Sequence, residues 1–111
     1  MGARLAGELE AWPSKEGMAA ILQAAGLEAT IGVYSVRVEG HSRFKFQEYG
    51  GDLGDPVIDA DAESVPELLA TARLVSEALA RAGVVHRFEV YDDADELAGY
   101  LHHRWPLPPA E

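Results

Sequence analysis

With 111 residues, 48% of them hydrophobic and 25% charged, the chain is long enough for a real core and has the balance of a folded globular domain. It contains no cysteine, which excludes disulfides, thiol catalysis and thiolate metal sites. A formal net charge of −10 disfavours nucleic acid and anionic membrane surfaces as partners and favours encounter with basic ones.

No apolar run approaches the roughly 20 residues needed to span a bilayer. The first ten residues hold two glutamates and no continuous apolar stretch, unlike a signal peptide. Cytoplasmic localisation, a single domain over residues 1–111 and no cofactor are the resulting expectations.

In chain order, residues 4–12 read as a short helix or a loose arm, with Leu5, Leu9 and Trp12 roughly on one side and Gly7 weakening the helix. Residues 1–13 are accordingly expected as an N-terminal arm. Pro13 interrupts, and Ser14 is placed to cap a helix running to about Ala25. Met18, Ile21, Leu22 and Ala25 form its apolar stripe. Gly26 and Leu27 suit a left-handed helix end with a closing hydrophobic contact.

The clearest alternation in the chain lies in residues 30–49. Tyr34, Val36 and Val38 fall on one side of a first arm, with Ser35, Arg37 and Glu39 opposite. After a turn at Gly40-His41, Phe44 and Phe46 take the apolar side, and Arg43, Lys45 and Gln47 the polar one. Period two with one charged face predicts a half-buried β-hairpin.

Residues 49–56 concentrate glycine, aspartate and proline and read as a loop. Val57 to Asp61 follows as a short third strand, whose charge and poor β-formers suit a protected edge. Ser64-Val-Pro-Glu67 is a helix start with a capping box and an early proline. Leu68, Leu69, Ala72, Val75, Ser76, Leu79 and Ala80 carry that helix to Gly83. Val84 to Tyr91 alternates as a fourth strand. Asp93 with Glu96 offers a second capping box for a last helix to about Arg104, burying Leu97, Tyr100 and Leu101. Residues 105–111 form a Pro-rich tail.

The expected fold is therefore α+β: a two-layer sandwich with a four-stranded, mixed, mostly antiparallel sheet, helices on one face, and element order α-β-β-β-α-β-α. If the third and fourth strands lie parallel, the helix between them makes a right-handed crossover; the expected sheet order is 3-2-1-4.

Two acidic zones stand out. Glu48, Asp52, Asp55, Asp59, Asp61, Glu63 and Glu67 run without a Lys or Arg between them, as do Glu89, Asp92, Asp93, Asp95 and Glu96. Asp52, Asp55, Asp59, Asp61, Asp92 and Asp93 are the candidate contacts for a basic protein partner. Asp59-x-Asp61-x-Glu63 begins like a calcium loop, but the required sixth and twelfth residues are Ser64 and Ala70, so no metal site is expected. The alternative surface is the hairpin's polar face, where Arg37, Arg43, Lys45 and a neighbouring Arg87 would gather, with Tyr49 and Tyr91 at its margin.

Catalytic signatures are missing: no G-x-S-x-G, H-E-x-x-H, phosphate loop or dinucleotide fingerprint occurs, and no catalytic residue is assigned. His86 falls on the apolar side of its strand and reads as a satisfied core residue. The sequence thus points to a small acidic protein-interaction module of inhibitor or immunity type. The alternatives are self-association as a homodimer, through the sheet face or a sheet edge, and a small-molecule pocket near His86, Tyr34 and Tyr100.

Overall fold

The computed structural model describes residues 2–40, 42–47 and 57–104. Its elements are β1 (Ala3–Leu9), α1 (Lys15–Ala24), β2 (Glu28–Ile31), β3 (Ser35–Glu39), β4 (Arg43–Gln47), β5 (Val57–Ala62), α2 (Val65–Arg81), β6 (His86–Tyr91) and β7 (Leu97–His103). The strands build one seven-stranded sheet in the order β2-β3-β4-β5-β1-β6-β7, with every neighbouring pair antiparallel.

The α+β class stands, but the expected four-stranded mixed sheet and the order α-β-β-β-α-β-α are overturned. Residues 4–12 are not a helix or a loose arm. They supply β1, which pairs with β5 on one side and β6 on the other. Ala3, Leu5 and Leu9 are buried, and Gly7 continues the same inward face. A Cβ at Gly7 would sit 2.7 Å from Phe88 Cδ1 and 2.9 Å from the Arg87 carbonyl oxygen, so only glycine lets β1 approach β6 this closely.

The last helix is also replaced by a strand. Residues 97–103 form β7 on β6, with a bulge where Tyr91 faces Leu97 and Val90 faces Gly99. Val57–Ala62 is not an edge either: β5 lies between β4 and β1, and Ile58 and Ala60 enter the core. The hairpin arm β3 pairs with β2, not with the fourth expected strand, so the order 3-2-1-4 also fails.

Both helices lie against one face of the sheet, α1 over β2 and β3 and α2 over β5, β1, β6 and β7, and the two touch each other. Beneath them Val36, Val38, Phe44, Phe46, Phe88 and Val90 join Met18 and Leu22 of α1 and Leu68, Val75 and Leu79 of α2 in one core. Phe44 sits at the centre, with the Phe46 and Phe88 rings each 5.5 Å away. Neither helix is long and apolar enough to cross a membrane.

Local capping chemistry fixes the helix ends. Ser14 Oγ accepts from the Gly17 amide at 3.0 Å, and Ser64 Oγ from the Glu67 amide at 3.3 Å. α1 closes with the Leu27 amide donating to the Leu22 carbonyl, and α2 with the Val84 amide donating to Leu79. Each closure is followed or preceded by a positive-φ glycine, Gly26 or Gly83.

Candidate functional site

The insertion of β1 between β5 and β6 decides where the acidic segments meet. β5 runs into the start of α2 on one side of Gly2, and the β6–β7 turn lies on the other. A cleft of about 170 Å³ is lined by Gly2, Glu63, Ser64, Val65, Asp92 and Asp93. A wider one of about 690 Å³ adjoins it through Gly2 and Glu63 and is lined by Ser42, Arg43, Asp61 and Glu67 among others. Carboxylates thirty residues apart in sequence thus share one end of the molecule.

The walls of this end are held by hydrogen bonds. Asp92 Oδ1 accepts from the amides of Ala94 and Glu96, both at 2.9 Å, and so shapes the β6–β7 turn. Asp95, in the left-handed region at φ 66°, receives Arg4 Nε at 3.0 Å, while the Arg4 guanidinium lies 4.6 Å from the centre of the Tyr91 ring. On the opposite wall the Ser42 amide donates to Thr71 Oγ1 at 3.3 Å, tying the β3–β4 turn to α2.

The cations nearby are already engaged. Arg43 donates to Asp61 at 2.9 Å and to Asp59 at 3.1 Å. These two hydrogen bonds, Asp61 foremost, hold its pKa above the ordinary arginine value. Arg4 is committed to Asp95. Glu63, Glu67, Asp93 and Glu96 have no side-chain hydrogen bond or ion pair among the described residues. The end is therefore open, concave and under-neutralised.

Of the residues expected to meet a basic partner, Asp61, Asp92 and Asp93 come together here. Asp59 lies further along the uncovered sheet face, opposite Lys45 and Ala6. Asp52 and Asp55 lie outside the described residues, as does Tyr49. Arg37, Arg43, Lys45 and Arg87 do share the uncovered face, but acids interleave with them. One line across the sheet reads Arg37, Lys45, Asp59, Ala6, Glu89, Tyr100, and the next reads Arg43, Asp61, Arg4, Tyr91. Arg87 pairs with Glu8 and Glu89, its pKa raised chiefly by the Glu8 hydrogen bond. That face is a mosaic of both signs.

His86 is buried, with Nδ1 2.9 Å from the Val84 carbonyl and Nε2 2.7 Å from Ser76 Oγ. Tyr34 precedes β3 near the far edge of the sheet, and Tyr100 stands on the uncovered face, so these three line no common pocket. Among the described residues no group of three or more His, Asp or Glu could hold a metal ion.

Sequence reasoning passed over Glu63 and Glu67 as individual contacts, although the capping signature around Ser64 already placed both at a helix start. Asp95 stood within the second acidic zone, but its pairing with Arg4 was not foreseen, because the first strand was not placed. No protein-family model matches the chain, and no curated protein or solved structure is significantly similar to it.

Proposed function

We propose that the protein is a small acidic binding module that docks a basic segment of a partner protein at the end formed by the start of α2 and the β6–β7 turn. The observation that carries this reading is the convergence of Asp61, Glu63, Glu67, Asp92 and Asp93 around Gly2 in two adjoining clefts. Glu63, Glu67 and Asp93 supply the attraction, since Arg43 engages Asp61 and Asp92 holds the turn. A concave wall lined by one sign of charge concentrates oppositely charged side chains and speeds their arrival.

A lysine-rich peptide, titrated calorimetrically at low salt, tests the assignment. Replacing Glu63→Gln, Glu67→Gln and Asp93→Asn together should weaken binding about tenfold, as expected from three partly exposed pairs of roughly 0.5 kcal/mol each. Equal affinity for the variant would move the binding surface elsewhere. Neutralising Arg37 and Lys45 on the sheet face is the control, and should not weaken the peptide.

A further inference from the structure

Among the described residues the sheet ends at β2 and at β7, and these two edge strands are protected very differently. β2 is four residues long and carries Glu28, which stands opposite Glu39 of β3. Two copies joined along β2 would crowd like charges. β7 is seven residues long and carries no Lys, Arg, Asp, Glu or Pro. Leu97 is 57% exposed and Tyr100 42%. Unpaired edges are ordinarily blunted by charge, proline or a bulge. Here the single bulge bends only the start of β7, and Gly99–His103 keeps regular register with Val90–His86.

We infer that β7 pairs antiparallel with β7 of a second copy, across a two-fold axis near Tyr100, joining two sheets into one. The occupant follows from the charge at the ends of the strand. β7 is preceded by Asp95 and Glu96 and followed by Arg104, and Glu96 and Arg104 have no side-chain partner among the described residues. An antiparallel dyad brings the acidic start of one strand beside the basic end of the other, and does so twice. A parallel arrangement would set like charges together. At the centre, Tyr100 meets its own copy on the uncovered face, an aromatic cross-strand pair of the kind that stabilises antiparallel ladders. On the inner face Gly99 faces Leu101 of the other copy, so the larger side chain meets a vacancy. Glu96 borders the acidic end as well, but Glu63, Glu67 and Asp93, which carry the proposed docking, lie outside β7, so the two readings fail separately.

Light scattering on the full chain after gel filtration tests the inference across a concentration series. The expected species has twice the 12.0 kDa chain mass. Glu96→Arg and Arg104→Glu should each raise the dissociation midpoint by about tenfold or more, because each replaces two attractions with two repulsions. The double exchange, Glu96→Arg with Arg104→Glu, should restore it to within about threefold. Hydrogen exchange at Gly99–His103 should slow as protein concentration rises. A monomer at every concentration overturns the inference. So does a dimer indifferent to either single variant, or one that the double exchange leaves weakened.

Discussion

At His86 burial favours the neutral ring, and the hydrogen bonds then set its tautomer. The Val84 carbonyl can only accept, so Nδ1 carries the hydrogen, and Nε2 accepts from the Ser76 hydroxyl. Burial lowers the His86 pKa from its ordinary value, against a smaller upward pull from the Val84 carbonyl, and His103 and His102 add to the lowering. The unfolded chain therefore takes up the proton first as pH falls. The stability tied to this group is fully present above about pH 6.5 and declines below it, toward the depressed folded pKa. Replacing His86→Ala should cost about 2–4 kcal/mol, from the cavity and the orphaned Ser76 and Val84 groups. It should also flatten the loss of stability on going from about pH 7.5 to about pH 5.5. Urea unfolding of both proteins at the two pH values checks this; equal slopes with pH would assign the dependence to other groups.

Among the elements, the two helices were legible and three strands, β1, β2 and β7, were not, and for β1 and β7 the reasons can be traced to particular residues. Ser14, Ser64, Gly26 and Gly83 act within a few residues of themselves, so their capping roles could be read without knowing the fold. The hairpin's alternation over Val36, Val38, Phe44 and Phe46 was equally local. In β1, Leu5 and Leu9 are four apart, a spacing that suits a helix face and a strand face alike, and the inward residue between them is glycine. In β7, the bulge breaks strict alternation and leaves Leu97, Tyr100 and Leu101 at helix-like spacing. Without β1 as a strand the sheet has no centre, and nothing in the sequence brings the two acidic segments together. The role of Gly7 gives a direct check. Gly7→Ala should destabilise the fold by about 1–3 kcal/mol, because the added methyl meets a backbone carbonyl that cannot swing aside. A neutral outcome in a denaturant titration would mean β1 and β6 are less closely packed than described.

For the molecule as a whole, the distribution of charge matters more than its total. Arg4, Arg37, Arg43, Lys45 and Arg87, five of the nine basic residues, stand on the uncovered sheet face beside Glu8, Glu39, Asp59, Asp61 and Glu89. That face is nearly balanced, so much of the −10 net charge falls elsewhere. The start of α2 and the β6–β7 turn take six carboxylates, namely Glu63, Glu67, Asp92, Asp93, Asp95 and Glu96, with Arg4 neutralising Asp95. The most direct test of a basic partner at this end is an amide-resolved NMR titration with a lysine-rich peptide at low salt. Shifts confined to Gly2, Ala62–Glu67 and Asp92–Glu96, and suppressed as salt rises, are the predicted result. Shifts spread along β3 and β4, or none at all, would contradict it.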